Sequence, residues 1–267
     1  MNLTLGFSPC PNDTFMFEAI INRRIDLEGI KFNISIADVS QLNKWSFDAR
    51  LDVTKLSFNA FRYCVKNYAL LDSGSAVGRN CGPLLIKKPR TKLTSQSSIA
   101  IPGKFTTANM LLELAFPQFL NTREVLFSEI EELVLNNKMD AGLIIHENRF
   151  TYESRGLEKV IDLGEFWETK YALPIPLGGI VLKRDLNKDI QQKVNRVLKR
   201  SIEFALSNPE VSNSYVKLNA QELEQKVINS HIDLYVNDLT VSLGSEGRNA
   251  VEKIFENTPI EKQSIFV

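Results

Sequence analysis

The 267 residues suffice to bury an apolar core without covalent crosslinks, as one large domain or two modest ones. The 32 Lys and Arg balance the 32 Asp and Glu, so no summed field draws the chain towards nucleic acid or an anionic membrane, and a small molecule is the default partner. Three cysteines, Cys10, Cys64 and Cys81, are odd in number and lack paired metal-ligand spacing, which predicts free thiols in a reducing compartment.

The opening stretch Met1 to Phe7 lacks the basic segment, longer apolar segment and cleavage site of an export signal. No apolar run approaches the roughly 18 residues of a membrane span. Together these predict a cytoplasmic protein.

Short apolar runs alternate with stretches of helical period, the pattern of strands separated by helices. Leu3 to Phe7 reads as a first strand, followed by a Ser, Pro, Asn and Asp-rich loop and a helix from about Asp13 through Ile21. Lys31 to Ile36 alternates with period two and predicts a strand, and Val39 to Arg50 a helix. Asp52 to Ser57 predicts a third strand with polar residues at its end. Pro83 to Pro89 is an apolar strand closed by charge and proline, a natural crossing between lobes. Ser98 to Gly103 predicts a strand running into a turn, and Thr106 to Leu114 a helix. Glu129 to Lys138 predicts another, and Ala141 to Ile145 a buried strand that delivers His146 at its carboxyl end. Leu173 to Leu182, entered through two prolines that fix extended backbone, is the expected return crossing. Ile190, Val194, Val197, Ile202 and Ala205 form one stripe of a helix over Asn187 to Leu206, stopped by Asn208-Pro209. Two further helices are predicted near Ala220 to Tyr235 and Ser245 to Glu256.

An inserted segment between two crossings is the layout of a hinged, two-lobed α/β binding protein. The expectation is a mixed sheet in each lobe, with residues 1–87 and 181–267 forming a discontinuous first lobe, 88–180 an inserted second lobe, and ligand held in the cleft between them. Ligands of open α/β sheets face the carboxyl ends of strands. Phe7-Ser8, Lys55 to Ser57 and His146-Glu147 are therefore expected to converge.

The loop Gly6-Phe7-Ser8-Pro9-Cys10-Pro11-Asn12-Asp13-Thr14-Phe15 resembles the opening signature of the 1,4-dihydroxy-6-naphthoate synthase family, of the futalosine route to menaquinone. Further stretches are similar to that family in the same order. They are Leu42-Asn43-Lys44-Trp45, Thr54-Lys55-Leu56-Ser57, Pro102-Gly103 with Thr106-Thr107-Ala108, Gly142 to Tyr152, Leu173 to Gly179, and the closing Phe266-Val267. The resemblance spans nearly the whole chain. It implies a type II periplasmic-binding-protein fold turned into a lyase, converting cyclic dehypoxanthinylfutalosine to 1,4-dihydroxy-6-naphthoate with release of dihydroxyacetone.

Such a reaction needs a base for a carbon-bound proton, a hold on the substrate carboxylate, and exclusion of water, with no redox cofactor. His146 matches the family's proposed proton acceptor, and histidine titrates near neutral pH; without the resemblance, a loop-capping histidine is the plainer reading. His231, inside a helical stretch, reads as structural. Lys55 and Ser57 occupy a position that contacts substrate in the family, where an ammonium and a hydroxyl bind a carboxylate or sugar oxygens; alone, they read as a lysine beside a strand-terminating serine. Thr106, Thr107 and Ala108 open a helix whose unpaired N–H groups suit an anion, although a threonine there is more often only an N-cap. Asn12 and Asp13 either cap the first helix or bond sugar hydroxyls, and Ser8 completes the substrate-binding candidates. Cys10 reads as structural because no base lies nearby in sequence. Gly178 and Gly179 suit a close backbone approach, a hinge or a turn. Phosphate-loop, dinucleotide and metal motifs are missing, so neither metal nor cofactor is expected.

Two rivals share the expected fold: a solute-binding protein without turnover, and chorismate dehydratase of the same pathway. The first normally carries the export signal this chain lacks. The second is disfavoured by the Ser8 to Phe15 and Ile144 to Phe150 stretches. Nothing in the sequence chooses between a monomer and a homodimer.

Overall fold

The computed structural model describes residues 1–220, 224–256, 258 and 265–267. In chain order the strands are β1 (Asn2–Phe7), β2 (Lys31–Ile36), β3 (Val53–Ser57), β4 (Tyr68–Leu70), β5 (Ala76–Gly78), β6 (Leu84–Lys87), β7 (Ile99–Ile101), β8 (Thr122–Glu124), β9 (Ala141–Ile144), β10 (Glu158–Asp162) and β11 (Ile175–Lys183). The helices are α1 (Pro11–Ile21), α2 (Val39–Phe47), α3 (Phe58–Cys64), α4 (Thr107–Ala115), α5 (Ile130–Leu135), α6 (Leu163–Tyr171), α7 (Lys188–Ser207), α8 (Pro209–Asn219), α9 (Gln225–Tyr235), α10 (Asp238–Val241) and α11 (Gly244–Phe255).

These elements form two compact units, residues 1–78 with 176–267, and residues 79–175. The first unit carries a sheet of order β2-β1-β3-β11-β4, with β5 beside β11. β1 runs parallel to β2 and β3, whereas β11 runs antiparallel to β3 and β4. The second unit carries a sheet of order β10-β6-β9-β7-β8, in which β7 is parallel to β8 and β9 and β6 is antiparallel to β9 and β10. Both sheets are thus mixed. The unit boundaries fall at 78/79 and 175/176 rather than at 87/88 and 180/181. Leu84 to Lys87, expected as a crossing that closes the first lobe, has both edges taken by strands of the second sheet. Conversely, β11 spends its backbone bonds on the first sheet from Gly178 onward.

Local chemistry explains the element ends. Asp38 caps α2, its carboxylate accepting from Ser40 and Gln41 backbone N–H groups, and Asn187 caps α7 through Asp189 N–H. The first helix begins at Pro11 rather than near Asp13, since proline at the first helical position loses no bond that the helix would make. The same rule explains α8: Asn208-Pro209 stops α7 as expected, yet Pro209 also starts a new helix. The stretch expected as a helix over Glu129 to Lys138 is shorter, a 3₁₀ turn at Phe127–Glu129 followed by α5, and it ends before Asn137, whose φ is 55°. Of the helix expected from Ala220, Gln221 to Leu223 lie outside the described residues.

The first core joins Leu3, Leu5 and Phe7 of β1, Phe15, Met16, Phe17 and Ile20 of α1, and Val194, Val197, Ile202 and Ala205 of α7. Phe7 and Phe17 stack with ring centroids 4.6 Å apart. This packing seats α1 on the end of β1 and positions the loop between them. The second core joins Leu84 and Ile86 of β6, Ala100 of β7, Ile144 of β9, Ile130 and Val134 of α5, and Phe127. Among the described residues no helix is long and apolar enough to cross a membrane.

Candidate functional site

In the first unit the carboxyl ends of β1 and β3 meet at one buried carboxylate. Period-two alternation puts Val53, Lys55 and Ser57 on the same face of β3, and Lys55 is buried, 6% exposed. Its Nζ lies 2.9 Å from Asp13 Oδ1. Asp13, fully buried, also accepts from Asn12 Nδ2 at 3.0 Å, from Ser8 Oγ at 2.7 Å and from Ser8 N–H at 3.1 Å. Four donors on one carboxylate offset the cost of taking a charged pair out of water. Among the described residues Asp13 is the one acceptor of Lys55, so two of the three ammonium N–H groups remain for a ligand.

Neither Asn12 nor Asp13 caps α1. Cys10 occupies the cap position without a side-chain capping bond, and Asp13, two residues into the helix from Pro11, turns its carboxylate back onto Ser8 instead. Asn12 has its amide engaged at both ends, Nδ2 on Asp13 and Oδ1 at 3.0 Å from His231 Nε2. Ser57 takes a separate partner: Asn43 Nδ2 donates to its Oγ, and Asn43 Oδ1 accepts from its backbone N–H, both at 3.0 Å. Asn43 thereby fixes the end of β3 from α2.

Gly178 and Gly179 lie inside β11, opposite Ser57 and Leu56, and are neither at a turn nor at positive φ. A methyl group on Gly178 would sit 2.5 Å from the Leu56 carbonyl oxygen and 3.5 Å from Lys55 Cε. The missing side chain is what lets β11 close on β3 beside Lys55.

In the second unit β9 ends at Ile144, Ile145 takes the cap position, and His146 opens a 3₁₀ turn, His146–Phe150. His146 has φ 60°, left-handed backbone that costs an ordinary side chain about 1–2 kcal/mol. Its ring meets Phe127 edge-on, centroids 5.0 Å apart at 70°. The turn is pinned by Arg149, which donates to the Gly82 carbonyl and, at 3.1 Å, to Asp162 Oδ2. The other oxygen of Asp162 caps α6 through Gly164 and Glu165 N–H groups. Gly82 and Gly164 pass so closely that a Cβ on Gly82 would lie 2.0 Å from Gly164 N. Downstream, Arg155 pairs with both Glu131 and Glu132 of α5.

Thr106 is the N-cap of α4: its hydroxyl accepts from Asn109 N–H at 3.2 Å and donates to the Gly103 carbonyl at 2.7 Å. Capping therefore occupies that hydroxyl. Thr106→Ala is expected to lower unfolding free energy by about 1 kcal/mol, read from the midpoint of a denaturant curve. Thr107 and Ala108 fill the first two helical positions and are buried, and α4 packs against β9.

Cys10, Cys64 and Cys81 are buried and none of them is in a disulfide. Burial pushes Cys64 up to about 11 and Cys81 up to about 12, which leaves both protonated and unreactive at neutral pH.

Of the residues singled out from the sequence, the structure brings Ser8, Asn12 and Lys55 together at Asp13, sets Ser57 on Asn43 and places Thr106 to Ala108 at the start of α4, but sequence reasoning missed what holds them. Asp13 is the hub of the first set, Asn43 lay inside a quoted stretch without a role, and His231 was assigned only to packing. Arg149 and Asp162 were not singled out.

The comparisons agree with this assembly of motifs. A family model described as menaquinone biosynthesis matches residues 3–259. A relative named 1,4-dihydroxy-6-naphtoate synthase from Thermus thermophilus is 40% identical over 253 residues, covering 95% of this chain and 92% of the relative. Its namesake from Streptomyces coelicolor is 36% identical over 264 residues, covering 97% and 93%. The crystal structure of a protein from Archaeoglobus fulgidus is 33% identical and superposes with a TM-score of 0.91 over 96% of both chains. The periplasmic aliphatic sulphonate-binding protein of Escherichia coli superposes with a TM-score of 0.67 over 100% of this chain and 92% of that one; at 12% identity this shows the fold alone, that of periplasmic binding proteins. From its first strand to the region beyond α11, the chain belongs to the menaquinone biosynthesis family.

Proposed function

We propose that this chain is a 1,4-dihydroxy-6-naphthoate synthase, a carbon–carbon lyase that converts cyclic dehypoxanthinylfutalosine to 1,4-dihydroxy-6-naphthoate and dihydroxyacetone. The observation that carries the reading is His146, an imidazole held in left-handed backbone at the end of β9, in a chain 40% identical to a relative of that name over nearly its full length.

In the second unit, His146 acts as the general base that takes a carbon-bound proton, a role that imidazole fills more often than any other side chain. The N-terminal N–H groups of α4 at Thr107 and Ala108 suit a developing negative charge. In the first, the Lys55 ammonium offers its two remaining donors to the substrate carboxylate, and Ser57 adds a hydroxyl. Ser8 and Asn12 act indirectly, by fixing the carboxylate that orients Lys55. Aromatisation of the second ring supplies the thermodynamic pull, so the work left to these side chains is proton transfer and positioning.

Purified protein given cyclic dehypoxanthinylfutalosine is expected to yield a mass peak for the naphthoate together with dihydroxyacetone, and to leave chorismate untouched. Binding without any product returns the chain to the solute-binding class. Consumption of chorismate assigns it to the earlier dehydration.

A further inference from the structure

Helix α9 buries one face, Val227, Ile228, His231 and Tyr235, and packs against α1. His231 is fully buried. Its ring lies 4.6 Å from that of Tyr235, and its Nε2 is 3.0 Å from Asn12 Oδ1. Burial obliges its ring N–H to find a partner, and the partner here is Asn12 of α1, which in turn bonds the Asp13 carboxylate.

The direction of each bond follows from chemistry. Asp13 Oδ1 already accepts from Lys55 and, as a carboxylate oxygen in an ion pair, only accepts. The Asn12 group facing it is therefore the NH₂, which leaves the amide oxygen towards α9. An amide oxygen also only accepts, so His231 Nε2 carries the proton. The polar chain runs one way: His231 donates to Asn12, Asn12 to Asp13, and Lys55 and Ser8 converge on the same carboxylate. An amide bonded at both ends has a single orientation. Take away the donor on α9 and Asn12 is free to turn, which withdraws one of the bonds that aim the Asp13 carboxylate and loosens the seat of Lys55.

We propose that His231 is a positioning residue for substrate binding, holding Lys55 in place through the hydrogen-bonded chain His231–Asn12–Asp13. This rests on the proposed synthase activity and on Lys55 as the group that holds the substrate carboxylate. It predicts a loss that falls on KM. His231→Phe keeps a ring of similar size and removes the donor; it is expected to raise KM by about tenfold, the order of one lost hydrogen bond, with kcat within about twofold. His231→Gln restores an N–H at that reach and is expected to return KM to within about threefold of the wild type.

A purely structural role gives a different pattern, a lowered melting temperature in both variants with KM unchanged in either, and that result overturns the proposal. Should His231→Phe not fold, ¹⁵N spectroscopy of the wild-type protein decides. A slowly exchanging proton on His231 Nε2 upholds the chain of donors, and an Nε2 without a proton overturns it. Wild-type protein without turnover sinks the synthase reading and the substrate role that rests on it, whereas the ¹⁵N measurement still decides whether the chain of donors exists. Wild-type turnover with an unmoved KM in His231→Phe sinks this inference alone.

Discussion

Replacing His146 by asparagine is expected to lower kcat by about 10²- to 10⁴-fold, the range carried by a general acid–base group, while substrate affinity measured by calorimetry stays within a few-fold. Asparagine is a better test than alanine. His146 sits at φ 60°, and asparagine adopts left-handed backbone far more readily than alanine, so the turn that ends β9 is preserved while the imidazole is lost. Arg149 and its bonds to Gly82 and Asp162 hold the rest of that turn in either variant. His146→Ala removes the same base but adds backbone strain of its own, so a lower melting temperature in that variant says nothing about chemistry. An asparagine variant that turns over at the wild-type rate would remove His146 from the role of base.

Asp13→Asn is expected to have the largest effect on stability. It leaves the Lys55 ammonium, 6% exposed, without a counter-charge, and breaking one side of a buried ion pair costs about 3–5 kcal/mol. The new amide also presents NH₂ where Asn12, Ser8 and Lys55 all donate, so at least one pair of donors must face each other. Denaturant unfolding of the variant against wild type reads the loss, with KM rising in parallel if the protein remains folded. Pairing it with Lys55→Met removes the orphaned charge and is expected to recover much of the stability but none of the substrate binding. A loss below about 1 kcal/mol in the single variant would mean that Asp13 and Lys55 behave as an exposed pair.

Much of the scaffold was legible because its strands declare themselves locally. Lys31 to Ile36 alternates, Ala141 to Ile144 is a short apolar run, and each proved to be a strand. The position of His146 could be read for the same reason, since a side chain that follows such a run is delivered at the strand's end. Pro209 was read only as a stop signal, and α8 was missed because that proline ends one helix and begins another. The crossings were displaced because hydrophobicity marks a strand but not the sheet that takes it: Leu84 to Lys87 is as apolar as a first-lobe strand, and only its pairing with β9 and β10 assigns it to the second unit. The hub at Asp13 was hidden for a further reason. Its donors come from the loop before α1, from α1 itself and from β3, 42 residues away, and the last member of the chain, His231, stands 219 residues from Asn12. Spacing along a sequence carries no trace of such meetings.

The left-handed backbone of His146 bears on how this protein can change over time. Glycine adopts that geometry without penalty, so a lineage screened only for heat tolerance would drift towards glycine at this position and gain robustness as it discarded the ring. On the role proposed for His146 that exchange would also end turnover, which sets heat tolerance against flux at position 146.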